Sequence, residues 1–241
     1  MNLAYADVAK MIDHALLAPT LTTADLEAGC RTAVAFDVAS VCIMPYALAR
    51  CSEILAGSSV APSTTIGFPH GGHTTAVKAA EAARAVADGA RELDMVVNIS
   101  QVLSGAWDAV AADIRAVIEV AHAAGRRLKV IFENAYLQDA HKIRLCEIAG
   151  DLGADWVKTS TGFAPGGATL DDLRLMRKHA PPHVQVKAAG GVKTLDELLA
   201  VRDVGATRCG TSRTTDILAE ARRRLGLPPI AAVGPAAPGG Y

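Results

Sequence analysis

Short β-branched or apolar runs alternate eight times with stretches rich in Ala, Leu, Arg and Glu. The runs fall at residues 11–17, 40–45, 64–69, 92–98, 128–133, 155–161, 184–191 and 207–212, and predict strands. The stretches between them predict helices over 23–36, 46–56, 74–88, 107–123, 138–152, 170–179, 195–203 and 214–225. Such alternation implies right-handed βαβ units and a parallel sheet. Eight units in a chain of 241 residues have the size of an α/β protein of the (β/α)8 TIM-barrel type, a single domain over residues 1–225. An open doubly wound sheet competes, but it usually has fewer strands, and no G-x-G-x-x-G follows the first run. Thr22 or Thr23 is suited to cap the first helix. Gly89, Gly125, Gly153 and Gly205 each stand at a helix end just before the next strand, where a C′ glycine belongs. Residues 226–241 turn rich in Pro, Gly and Ala, which predicts a flexible, non-helical tail and not a second domain.

Three lysines interrupt the apolar runs: Lys129, Lys158 and Lys187. Lysine is almost never fully buried unless it is paired or chemically used. A desolvated lysine beside another cation loses its proton near neutral pH and becomes a nucleophile, which points to Schiff-base chemistry on a carbonyl. Side chains on a strand alternate faces. By that parity Lys158 goes with Trp156 and Ser160, Lys187 with Gln185, and Lys129 with Ile131 and Glu133. Asp94 goes with Val96 and Asn98, and Asp13 with Met11 and Ala15. With the opposite faces packed on helices, Lys129, Lys158, Lys187, Asp13, Asp94 and Glu133 all enter one interior. Charges gathered there are costly unless they work; the alternative is a buried ion-pair network without chemistry.

A second cluster lies at strand ends. Thr161-Gly162, Gly190-Gly191 and Gly210-Thr-Ser-Arg213 close the last three strands. Loops in these positions commonly bind phosphate through backbone N–H groups and a helix N-terminus, and Arg213 adds a charged fork.

Composition narrows the class. A formal net charge of -1 gives no basic excess for nucleic acid. Five cysteines without a C-x-x-C pair fit reduced thiols in a cytoplasmic protein. No apolar run approaches a membrane span, and no basic segment followed by an apolar core opens the chain, so neither a membrane anchor nor a secretory leader is expected.

The motifs Ile12-Asp-His-Ala-Leu-Leu17, Gly67-Phe-Pro-His-Gly71, Glu92-Leu-Asp-Met-Val-Val-Asn98, Val157-Lys-Thr-Ser-Thr-Gly-Phe163 and Val186-Lys-Ala-Ala-Gly-Gly-Val192 resemble those of the deoxyribose-phosphate aldolase family, over nearly the whole chain. The resemblance implies a class I aldolase that cleaves 2-deoxy-D-ribose 5-phosphate to D-glyceraldehyde 3-phosphate and acetaldehyde without metal or organic cofactor. It implies Lys158 as the Schiff-base lysine, Lys187 as the second lysine that lowers its pKa, and Asp94 as the acid/base group. Lys129 and Asp13 match supporting polar positions, and Gly162, Gly190, Gly191 and Ser212 match phosphate loops. Gly210 and Arg213 belong to the same candidate loops. Cys42 points inward by parity, as a small buried hydrophobe or a contact to the aldehyde. Some members end in a tyrosine that folds over the site, a role open to Tyr241.

Three positions depart from the family pattern: Arg213 for a serine or small residue, Ala15 for a threonine, and Asn134 for a threonine. His70 and His73 flank two glycines and suggest a metal pair, but no third ligand of matching spacing is evident. The expected partners are sugar phosphates and aldehydes, with no nucleic acid or membrane, and the expected assembly is a homo-oligomer, dimer or tetramer. The rival readings are a class I aldolase with another or a non-phosphorylated substrate, a metal-dependent aldolase, and a non-catalytic sugar-phosphate-binding barrel.

Overall fold

The computed structural model describes residues 4–230. Its strands are β1 (Ile12–Leu16), β2 (Ser40–Ile43), β3 (Ala61–Ile66), β4 (Glu92–Val96), β5 (Arg127–Ile131), β6 (Trp156–Lys158), β7 (Gln185–Ala189) and β8 (Ala206–Thr211). Each pairs in parallel with its neighbour in sequence, and β8 returns to β1, closing a barrel. Around it lie α1 (Tyr5–Ala9), α2 (Thr23–Ala35), α3 (Leu48–Leu55), α4 (Thr75–Ala87), α5 (Ile99–Leu103), α6 (Trp107–Ala123), α7 (Asp139–Asp151), α8 (Leu170–His179), α9 (Leu195–Asp203) and α10 (Thr214–Arg224). This is the predicted (β/α)8 barrel.

The hydrophobic core is the ring between sheet and helices. Outward-facing Ile12, Val41, Leu93, Met95, Val130, Val157 and Val186 are buried in it against helix residues such as Leu26, Ile114, Leu145 and Leu198. Caps mark the helix ends: the hydroxyl oxygens of Thr22, Thr169 and Thr194 accept the N–H groups of Asp25, Asp172 and Glu197. Gly89, Gly125, Gly153 and Gly205 take positive φ after their helices, as predicted.

The strand boundaries shift by up to three residues from expectation, and at three strands the shift has a local setting. β3 begins at Ala61, upstream of the predicted start, and takes in Pro62, a residue that strand interiors usually exclude. Pro62 loses no ladder acceptor, since its carbonyl still takes the Arg91 N–H at 2.8 Å. β5 ends at Ile131 because Glu133 adopts a left-handed backbone, φ 49°. β6 ends at Lys158 because the Thr159 hydroxyl engages the backbone of β7, donating to Ala189 O and accepting from Ala189 N. Helices α1 and α5 were not predicted. Each has five residues, too few for a helical period to show. α1 is held by Tyr5, whose hydroxyl donates to Phe36 O at 2.9 Å and whose ring lies 5.0 Å from the Arg222 guanidinium.

At the start of the predicted tail, Leu227 N donates to Arg222 O and Arg222 Nε donates to Pro228 O. Residues 231–241, with Tyr241, lie outside the described residues.

Candidate active site

Strand register carries the site. Lys158 on β6 lies opposite Lys187 on β7, and Asp94 on β4 lies opposite Lys129 on β5. All four side chains project into the barrel, as strand parity predicts, and Asp13 on β1 joins them. Asp94 is fully buried and accepts from three ammonium groups. Oδ1 receives Lys129 at 2.8 Å, and Oδ2 receives Lys158 at 2.8 Å and Lys187 at 2.7 Å. Asp13 Oδ2 holds Lys187 at 2.5 Å.

Two members of this network were missed in the sequence. Glu92 on β4 holds Lys129 at 2.6 Å. Arg208 on β8 donates to Glu92 at 2.9 Å and makes a short contact to Asp13. Glu92 could have been found, because its parity matches that of Asp94. Arg208 follows a bulge in β8: Val186 pairs with Ala206, but Lys187 pairs with Arg208. The extra residue breaks simple alternation and brings the arginine in line with the lysine. Below the cluster, the Trp156 ring is ringed by cations, with Arg127 at 5.1 Å, Lys129 at 5.8 Å and Arg208 at 5.1 Å from its centroid.

The electrostatics single out one lysine. Burial would lower the pKa of Lys187 and Lys129, but their carboxylate partners overcome it and raise both. Burial would raise Asp94 and Asp13, but the surrounding cations hold both far below the usual carboxylate range. Of the three lysines inside the barrel, only Lys158 moves down. Burial depresses it, Asp94 only partly compensates, and the Lys187 charge adds to the depression. A buried lysine beside another ammonium and biased toward its neutral form is an activated nucleophile.

A cavity opens above Lys158 and Lys187 at the C-terminal end of the strands. Asp13, Ala15, Cys42, Gly162, Gly190, Gly191, Gly210, Ser212 and Arg213 also line it, whereas Asp94 and Lys129 lie beneath. Burial and the Asp94 charge push the Cys42 thiol up, which keeps it a neutral wall residue.

The candidate phosphate-loop residues separate by geometry. Gly162, Gly190 and Gly191 have φ of 92°, 78° and 86°, a region that favours glycine. A Cβ on Gly190 would meet Gly167 Cα at 2.9 Å, so this glycine packs two loops together. A Cβ on Gly191 would meet nothing within 4 Å, so its backbone faces open space at the cavity. Gly210 packs closely: a Cβ there would lie 3.3 Å from Ala189 Cβ and 3.4 Å from Lys187 Cε. The Arg213 guanidinium sits 3.5 Å from Asp216 with its side chain 44% exposed, at the rim of the cavity.

Other expectations are corrected. Glu133 does not enter the lysine cluster. It turns away past the end of β5 and binds the Thr161 N–H at 3.3 Å and, at close range, the Thr161 hydroxyl. Asn134 reaches outward to Met176 Sδ at 3.3 Å, so its departure from the family pattern does not touch the cavity. His70 and His73 are exposed, and among the described residues no group of three or more His, Cys, Asp or Glu is placed to hold a metal ion.

Comparison with known proteins agrees with this geometry. The model of the DeoC/LacD aldolase family matches residues 7–211. The chain is 66% identical over 226 residues to the deoxyribose-phosphate aldolase of Rhodopirellula baltica, covering 94% of each. It is 46% identical to that of Thermococcus gammatolerans, over 90% of this chain and 97% of the relative. Among solved structures, the tetrameric deoxyribose phosphate aldolase of Aeropyrum pernix superposes with a TM-score of 0.84 at 29% identity, covering 92% of this chain and 93% of that one.

Proposed function

The chain belongs to the DeoC/LacD family of aldolases, and from that premise we propose that it catalyses the reversible cleavage of 2-deoxy-D-ribose 5-phosphate to D-glyceraldehyde 3-phosphate and acetaldehyde, in deoxyribonucleoside catabolism. The enzyme is a carbon–carbon lyase. The observation that carries the reading is the depressed pKa of Lys158 at the floor of the cavity, with protonated Lys187 and ionised Asp94 against it.

Neutral Lys158 adds to C1 of the open-chain sugar to give a carbinolamine. Lys187, kept protonated by Asp13 and Asp94, donates a proton to the departing hydroxyl, and water leaves. The iminium accepts the electron pair of the C2–C3 bond as the C3 hydroxyl loses its proton, which releases glyceraldehyde 3-phosphate and leaves an enamine. Protonation at C2 and hydrolysis then release acetaldehyde and restore Lys158. Asp94, ionised throughout, sets the distance between the two lysines, and Lys187, neutral after its donation, regains its proton from the C3 hydroxyl as the C2–C3 bond breaks. Lys129 and Asp13 hold this arrangement, and Cys42 packs beside it. Gly162, Gly190, Gly191, Gly210, Ser212 and Arg213 form the phosphate end of the cavity, with Gly191 facing the ligand and Gly190 and Gly210 shaping its surroundings.

The enzyme works in the cytoplasm as a homo-oligomer. Support comes from five free cysteines, from the lack among the described residues of any helix long and apolar enough to cross a membrane, and from the tetrameric Aeropyrum pernix relative. Borohydride reduction with deoxyribose 5-phosphate, followed by peptide mass spectrometry, tests the chemistry. The expected adduct sits on Lys158. A folded protein that binds the sugar and yields no adduct would exclude the Schiff-base route.

A further inference from the structure

Arg208 contributes nothing to the cavity wall and lies at the opposite end of the barrel interior from the substrate opening, yet two chains of contacts run from it to Asp94. One passes through Asp13, which takes Arg208 on Oδ1 and holds Lys187 on Oδ2 at 2.5 Å; Lys187 then reaches Asp94 Oδ2 at 2.7 Å. The other passes through Glu92, which takes Arg208 on Oε1 at 2.9 Å and holds Lys129 on Oε2 at 2.6 Å; Lys129 then reaches Asp94 Oδ1 at 2.8 Å. A planar guanidinium therefore spans two carboxylates, each of which fixes one of the lysines flanking Asp94. A point charge on a flexible stem cannot span both in this way. The bulge in β8 is what brings Arg208 into register with Lys187.

Charge adds a second consequence. Lys129, Lys158, Lys187, Arg208 and, from the half-exposed rim, Arg127 face Asp13, Glu92 and Asp94, so cations outnumber carboxylates. The groups that bear on Lys158 are Asp94 from β4, Lys187 from β7, Cys42 from β2 and Glu133 from the end of β5. Without Arg208 the cluster would lose one buried positive charge, and Lys158 would have less reason to give up its proton.

Resting on the aldolase reading, we propose that Arg208 is a positioning residue for the reaction: its guanidinium fixes Asp13 and Glu92 beneath the lysines and adds buried positive charge against which Lys158 works. It touches no substrate and acts through Lys187 and Asp94.

The test is the rate of adduct formation on Lys158 with acetaldehyde and cyanoborohydride, followed across pH in the full-length enzyme. Acetaldehyde carries no phosphate, so only protein groups titrate. Arg208→Met should move the rising limb of the curve upward by about one pH unit. Glu92→Gln removes a carboxylate and should move it downward. Glu92→Gln combined with Arg208→Met restores the charge balance and should return the limb to its wild-type position. A merely structural arginine would lower thermal stability and leave the limb in place, and an unchanged limb in folded Arg208→Met overturns the proposal. If Arg208→Met alone does not fold, the comparison passes to Glu92→Gln with and without Arg208→Met, where equal limbs overturn it. A wild-type enzyme that forms no Lys158 adduct would instead remove the aldolase reading and this inference with it.

Discussion

Lys158 and Lys187 face each other across the β6–β7 register, and one oxygen of Asp94 accepts from both, at 2.8 and 2.7 Å. The two ammonium groups are thereby held beside each other but kept unequal. Lys187 has a second carboxylate, Asp13, and its pKa rises; Lys158 has none, and its pKa falls. On the proposed mechanism, two chemically identical side chains become a proton donor and a nucleophile through the count of their partners.

This asymmetry predicts the behaviour of Lys187→Leu. The substitution removes the charge that helps depress Lys158 and leaves Asp13 and Asp94 short of a cation. Turnover should fall about 10²–10⁴-fold, and the rising limb of kcat/KM should move to higher pH. Stability should drop by about 3–5 kcal/mol, the usual cost of breaking a buried pair. Steady-state rates across pH and a denaturant titration measure both effects. A limb that stays in place would mean that Lys187 does not act on Lys158 by charge.

Acid should weaken the fold through the same network. Asp13 and Asp94 have folded-state pKa values below their ordinary 3.8. The stability they contribute is fully present above that ordinary value and is lost as pH falls below it, when the unfolded chain binds protons that the folded one refuses. Melting temperature followed by circular dichroism from pH 6 to pH 2 should fall steeply below about pH 4. Substituting Asp94→Asn should flatten that fall. An equal slope in the variant would assign the acid sensitivity to other carboxylates.

Gly190 and Gly191 are adjacent, and both have positive φ, but their substitutions should fail differently. Gly190→Ala drives a methyl against Gly167 and should destabilise the fold by more than the roughly 1–2 kcal/mol of left-handed strain alone. Gly191→Ala carries only that strain, because its Cβ meets nothing. On the proposed function the methyl intrudes on the phosphate end of the cavity, so KM for deoxyribose 5-phosphate should rise at least tenfold with kcat little changed. The ratio of rates on phosphorylated and plain deoxyribose separates the cases. Equal ratios in Gly191→Ala and wild type would move the phosphate elsewhere.

Arg213 gives a graded test of the same end of the cavity. Its guanidinium leans toward Asp216 at 3.5 Å and is well exposed, so that ion pair contributes little to stability. Arg213→Ala should leave melting temperature unchanged and raise KM only for phosphorylated substrate. The rise should shrink with added salt, since an exposed charge is screened. A rise that ignores salt would argue for a direct contact shielded from solvent.

Much of this site was legible because strand parity needs no knowledge of the fold's details. Lysine in the middle of an apolar run stands out, and the period of two assigns its face, so Lys129, Lys158, Lys187, Asp94 and Asp13 could be grouped in advance. Glu133 was grouped with them wrongly, because parity holds only while the backbone stays extended, and the chain turns left-handed at that residue. Arg208 was legible by the same rule, since beyond the bulge it shares a face with Gly210 and Ser212. Glu92 was within reach, since it stands two residues before Asp94 on the same strand. Distances decide the remaining points, and no pattern of residue types gives them. The division of labour between Gly190 and Gly191 is one case; the close packing of Gly210 against Ala189 and Lys187 is another.

Trp156 is one of two tryptophans in the chain, and its indole lies among three of the cations that border or build the network. The excited indole shifts charge across its rings, so its emission is tuned by the field those cations impose. The enzyme thus carries an optical gauge of its own interior charge, placed below the chemistry and out of the substrate's reach. With Trp107 replaced by Phe, changes in that charge could be tracked as a colour shift in the intact protein, without attaching a label.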